Sequence, residues 1–147
     1  MNQKLSKMEA RECLSFHSCR NDNIEDYRWS SGFIGRLRPY TGLCEANLHE
    51  IMLCIFVLQD ELQDSKLDQI LISDLWNICH YGTDFGLDPN GMLQQNNILT
   101  AEETELLRKW IEIISCATSI LLEGCDIETA YTMYLHYYPV ECMRLYK

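Results

Sequence analysis

Proline and glycine are scarce in this chain of 147 residues, at three and seven. A many-turned β fold needs both to punctuate its strands, so their scarcity favours helices. No uncharged apolar stretch reaches 18 residues, so no membrane-spanning helix is expected. The opening residues, MNQKLSKMEAREC, hold no apolar core of the kind a secretory leader carries. No CxxC pair occurs, which leaves the common zinc and dithiol motifs without their spacing.

Bases are the most telling shortage. Between Glu45 and Glu105 there are twelve acids and a single base, Lys66. The net charge of −10 divides into +2 over residues 1–40 and −12 over residues 41–147. Such a field repels nucleic acid and anionic membrane, so neither is expected as a partner, and it attracts basic proteins or cations.

Eight cysteines are present, with irregular spacings. Cys54 and Cys116 fall inside apolar helical runs, where a free thiol behaves as a small hydrophobe. Reduced thiols and a cytoplasmic chain are the simplest reading, and a disulfide framework is the lesser one. An apolar content of 47% over this length suits one helical domain, residues 1–147, with a core of its own.

That core is expected to centre on Leu43–Leu62. Its middle, Ile51–Leu58, is eight apolar residues in a row, and Leu43, Leu48, Ile51, Met52, Ile55, Leu58 and Leu62 keep helical spacing. At that pitch the middle is apolar on every side, which predicts a helix covered all round. Five or six helices should pack about it, an all-α bundle. The first spans residues 3–19 and a short one spans Ile24–Ser31. A third follows an irregular loop at 35–42, with Thr41 as its N-cap. A fourth starts at Lys66, capped by Ser65, buries Leu67, Ile70, Leu71, Leu75 and Ile78, and ends at Gly82. Residues 83–99 form the longest irregular segment, with a turn at Asp88-Pro89-Asn90-Gly91. Thr100 and Glu103 spell a capping box for a helix to about Glu123. Asp126 caps a last helix that Pro139 closes or kinks.

Candidate chemistry is sparse. His80, Asp84 and Asp88 recur every four residues, but Gly82 and Gly86 interrupt them, and no metal or cofactor is expected. An EF-hand register puts Gly86 and Asn97 where its essential acids belong. With eight cysteines and four histidines, His17, His49, His80 and His136, any pairing of nucleophile and base is arbitrary from sequence, so no catalytic residue is named; His49 suits a structural hydrogen bond. Arg36 and Arg38 are expected to pair with the acidic helices. Tyr131, Tyr134 and Tyr138 share one helical face, which reads as core edge or as an interface.

Two kinds of function follow. The favoured one is a non-enzymatic, acidic protein-binding module. It neutralises a basic partner, such as a nuclease toxin, by filling the positive cleft. Immunity proteins that block nuclease toxins share its size, charge and compartment, though no motif carries the likeness further. Its expected contacts are Asp60, Glu61, Asp64, Asp68, Asp84 and Asp88, with Tyr131, Tyr134 and Tyr138 in second place. The alternative is a small α-helical enzyme using His80, Asp84 or the Arg36–Arg38 loop. That reading needs a pocket holding two of those groups, whereas a convex acidic face favours the binding module. A homo-oligomer joined through the tyrosines is the weaker third.

Overall fold

The computed structural model describes residues 4–147, and every regular element within them is helical. In chain order these are α1 (Lys7–His17), α2 (Tyr27–Ser31), α3 (Glu45–Val57), α4 (Gln59–Leu62) and α5 (Gln69–Gly82). A π-helical turn (Thr83–Leu87) follows, then α6 (Met92–Gln95), α7 (Ala101–Leu122), α8 (Ile127–Ala130), α9 (Thr132–Tyr137) and α10 (Pro139–Arg144). The chain is an all-α bundle whose helices share one hydrophobic core. The expected first helix reached back to residue 3, which lies outside the described residues; the observed one begins after Ser6, whose capping box with Glu9 stops it there.

The central run folds as expected but as two helices. Leu48, Ile51, Met52, Cys54 and Ile55 of α3 are fully buried, with α1 and α7 packed against the helix. Leu53, Phe56 and Val57 are only half-buried, so the cover is less complete than the apolar run implies. The Tyr131 hydroxyl donates to the Met52 carbonyl, and the Phe56 ring meets Tyr131 and Tyr146 at 6.2 and 5.3 Å. At Leu58 the backbone leaves helical geometry (φ −97°, ψ 9°), and the Gln59 side chain donates to the Phe56 carbonyl at 2.9 Å. A side-chain donor at that carbonyl replaces one that a continuous helix would supply.

Several helix ends differ from expectation. Thr41 does not cap α3: Cys44 occupies the N-cap and makes no side-chain capping bond. The fourth helix starts at Gln69 because Asp68, not Ser65, caps it through the N–H groups of Ile70 and Leu71. Leu67 and Ile70 consequently lie on the exposed first turn or before it. Gly82 is the last residue of α5, not the C′ residue beyond it. Its backbone is α-helical, and a Cβ there would meet Ile111 Cδ1 at 2.9 Å, so the glycine lets α5 approach α7 closely. Pro139 sits at the first position of α10, where its missing N–H costs nothing.

Among the described residues the buried polar side-chain atoms are hydrogen-bonded, apart from His49 Nε2. Asp74, within the acidic series yet 2% exposed, accepts from Arg20 Nε at 2.6 Å and from the Ser18 hydroxyl at 2.9 Å. His17 accepts the Phe33 N–H at Nδ1 (3.0 Å), which leaves its Nε2–H to donate to Glu50 at 2.8 Å. These contacts tie α1 and the segment after it to α3 and α5. His49 Nδ1 lies 2.7 Å from the Tyr134 hydroxyl, the structural bond expected of it. Its Nε2 is 3.3 Å from Glu45 without hydrogen-bond alignment.

Ile55→Asp is expected to unfold the chain, because an unpaired buried carboxylate costs several kcal/mol, comparable with the whole stability of a domain. A thermal melt like that of the parent would show that α3 is not central.

Acid should weaken the fold through the helix caps. Asp26, Asp68 and Asp126 cap helices, and Glu9 and Glu103 complete capping boxes. Hydrogen bonds hold four of these carboxyls below their ordinary range: Ser6 on Glu9, Arg28 on Asp26, Tyr40 on Glu103 and Thr129 on Asp126. At Asp68 burial pushes the other way, but Ile70, Arg11 and Leu71 together outweigh it. A carboxyl whose pKa is lower folded than unfolded stabilises fully above the unfolded value and loses that contribution as pH falls through the folded one. Denaturant midpoints should therefore decline below about pH 4, the ordinary carboxyl range. Equal midpoints at pH 6 and pH 3 would contradict this.

Candidate functional site

The sequence element with the least regular spacing builds one wall of a concavity. Residues 83–99 were expected as a long irregular segment, yet they are ordered by their own hydrogen bonds. The π-turn closes when the Asp88 N–H donates to the Thr83 carbonyl at 2.9 Å. The Asp88 carboxylate then accepts the Asn90 N–H at 2.9 Å, and its carbonyl accepts the Gly91 N–H at 2.8 Å. Gly91 is needed here because a Cβ would lie 3.0 Å from the Asp84 carbonyl. Gln94 fastens the segment to the body, donating to the Gly86 carbonyl at 2.8 Å and the Thr104 hydroxyl at 3.0 Å.

The facing wall is the Leu37–Tyr40 loop. Its Arg38–Pro39 peptide is cis, and Leu37 and Tyr40 form an isolated antiparallel bridge. Arg36 folds back, donating to the Thr41 and Gly42 carbonyls at 2.8 Å each, and the Tyr40 hydroxyl donates to Glu103. Burial, then Glu103, pushes the Tyr40 pKa up to about 12, so this phenol stays protonated at neutral pH.

Between the walls lies a groove of about 530 Å³. Leu37, Pro39, Phe85, Met92, Leu93 and Ile98 make it largely apolar. Met92 is 71% exposed and Ile98 43%, so apolar surface faces solvent here. Arg38, Asp84 and Asp88 supply the charge. Arg38 lies over the Phe85 ring at 5.1 Å, and Tyr81 stacks on Phe85 at 5.3 Å. The Asp84 carboxylate is exposed and has no hydrogen-bond or ion-pair partner among the described residues.

The expected contact residues do not form one surface. Asp84 and Asp88 line the groove, while Asp60, Glu61, Asp64 and Asp68 gather near the start of α5. At 1.5 Å per helical residue the two groups are roughly 20 Å apart. The second group is also partly neutralised. Lys7 lies 4.0 Å from Asp60, Arg11 bonds Glu61 at 2.6 Å, and Arg11 bonds Asp68 as well. Asp64 is spent on a local turn with the Lys66 N–H at 2.9 Å.

Tyr131 and Tyr134 are 1% and 2% exposed, which corrects their placing on a partner surface. The helical face they share turns inward, because the last helix breaks at Tyr131 and Tyr138 and folds over α3. Tyr138 is half-buried and accepts the Trp110 indole N–H at 2.8 Å. Among the described residues Arg36 and Arg38 pair with no carboxylate: carbonyls accept from the first, and the second lies over an aromatic ring. His80 is exposed and does not line the groove. Tyr40, Phe85, Met92 and Ile98 went unrecognised as groove residues. Phe85 and Met92, apolar residues inside a polar turn-rich segment, were the available signal.

Among the described residues no cluster of three His, Cys, Asp or Glu side chains is placed to hold a metal ion, and no helix is long and apolar enough to cross a membrane. No family model matches the chain, and no characterised protein or solved structure is significantly similar to it.

The two ends of the acidic series should respond differently to charge reversal. Asp64→Lys is expected to leave stability within about 0.5 kcal/mol of the parent, as an exposed substitution. Asp68→Lys removes a helix cap and sets a second cation beside Arg11, so it should cost roughly 1–2 kcal/mol. Chemical denaturation distinguishes them; equal midpoints would mean that Asp68 is not the cap.

Proposed function

We propose that this chain is a binding module for a basic protein and that the groove between Leu37–Tyr40 and Asp84–Ile98 receives the partner. The observation that carries this reading is Asp84, an unpartnered carboxylate on the rim of an exposed apolar groove. A segment with an apolar side chain flanked by lysine or arginine meets both needs. The apolar residue covers Met92 and Ile98, and the cation pairs with Asp84. The wider field of −12 over residues 41–147 steers such a partner toward the chain. Inhibition of a basic enzyme such as a nuclease toxin, by occluding its positive cleft while a basic segment beside that cleft enters the groove, is the form of this function that the charge suits best. A cytoplasmic setting fits eight free cysteines.

The enzyme reading has one observation in its favour. The pocket it required exists, and Asp84 and Arg38 both line it. Binding remains the stronger conclusion because no Ser, Thr, Cys, His or Lys lines that groove, and its only hydroxyl, Tyr40, is committed to Glu103. Its candidate bases are Asp84 and Asp88, and among the described residues its walls offer them no free hydroxyl, thiol, imidazole or amine to activate.

The test is capture of basic proteins on the immobilised chain at low salt, with salt elution. Asp84→Lys is expected to weaken the captured partner at least about tenfold, as loss of a desolvated charge pair does. Asp64→Lys, at the other end of α5, should change affinity less than about twofold, the scale of an exposed charge. Binding indifferent to salt and to Asp84→Lys would sink the proposal. Loss on Asp64→Lys alone would move the surface to the start of α5.

A further inference from the structure

Arg38 is held differently from most arginines of this chain. Arg11, Arg20, Arg28 and Arg108 each meet a carboxylate, and Arg36 donates to carbonyls. Arg38 makes no hydrogen bond or ion pair among the described residues; its guanidinium carbon lies over the Phe85 ring, 5.1 Å from the centroid. Asp84 and Asp88 line the same groove, yet Arg38 pairs with neither. Its side chain is exposed, on a loop that the Leu37–Tyr40 bridge closes behind it. Tyr81 stacks on Phe85 at 5.3 Å, so the half-buried ring is braced on its own side of the groove.

We infer, on the reading of this groove as the partner's site, that it selects an arginine of the partner and that Arg38 holds that arginine's place in the free chain. A guanidinium is planar and weakly hydrated, so it lies flat on an aromatic face, where a lysine ammonium keeps more of its water. Arg38 shows that the Phe85 face takes such a group. What Arg38 lacks is a second contact. Asp84 precedes Phe85 in the chain, lines the same groove and has no partner among the described residues. An arginine entering from outside stacks on Phe85 and donates to Asp84 together, while the apolar residue beside it covers Met92 and Ile98. A charge-assisted hydrogen bond added to the ring contact outweighs the ring contact alone, so the incoming guanidinium displaces Arg38. A lysine reaches the carboxylate but gains less from the ring.

Arg38 is then a competitor rather than a contact. Its removal frees the Phe85 face and takes a repelling cation out of the groove, so an arginine ligand should bind better without it. An Arg38 that reached an acid of the partner would give the opposite sign.

The experiment is titration of the chain with two blocked peptides, acetyl-Ala-Leu-Arg-Leu-Ala-amide and its lysine counterpart, read by nuclear magnetic resonance at the Phe85 ring and the Met92 methyl. The arginine peptide is expected to bind at least about threefold more tightly, the scale of a cation on an exposed ring. Both peptides should weaken on Asp84→Asn. Arg38→Ala should tighten the arginine peptide by about twofold or more, since the ring no longer has an occupant. Equal affinities that still depend on Asp84 would overturn the selection of arginine and leave the groove reading standing. Indifference of both peptides to Asp84→Asn, or signals that move outside the groove, would remove the groove reading and the inference together. Weaker or unchanged binding by Arg38→Ala would overturn its part as a placeholder. Binding of neither peptide would overturn the inference, and capture of a protein sensitive to Asp84→Lys would still uphold the groove. The two peptides compared on the unaltered chain decide the selectivity even if a variant fails to fold.

Discussion

Burial of α3 between α1 and α7 is the constraint on which the rest of this structure depends. Five of its side chains are lost to solvent completely, and polar contacts tie it to α1 and to the C-terminal turns. His17 reaches Glu50 from α1, and Tyr131 reaches the Met52 carbonyl from the C-terminal turns. Apolar burial supplies the driving force without direction, at about 25 cal/mol per Å². The hydrogen bonds supply the orientation, because an unpaired polar group in that interior costs more than a paired one gains. α5 packs against both α1 and α7, and the groove forms beside the π-turn that follows it.

Much of the fold was legible because its signals are local. The capping box at Thr100 and Glu103 is a four-residue pattern, and it forms as written. The eight apolar residues of Ile51–Leu58 declare a buried segment without reference to anything else in the chain. What escaped the sequence depends on partners distant along the chain. Gly82 reads as a helix end by composition, but its role is set by Ile111 on another helix. Ser65 and Asp68 are both chemically able to cap, and the pairing of Asp68 with Arg11 favours the latter.

The candidate site shows the same division. The acids were visible, and so was the excess they create, but their distribution was not. Helix geometry places Asp68 and Asp84 at opposite ends of α5, and the bases of α1 offset the first group. Among the described residues Arg36 and Arg38 carry no carboxylate partner, contrary to the charge arithmetic, since backbone carbonyls hold one guanidinium and an aromatic face lies under the other. The tyrosines went inward because the final helix is broken twice, and neither break is marked by glycine.

The direct measurement is hydrogen exchange of the chain with and without a salt-sensitive basic partner bound. Occupation of the groove predicts slowed exchange at residues 37–41 and 84–98, with the segment 60–68 unchanged. Protection confined to 60–68, or to the C-terminal turns, would contradict it.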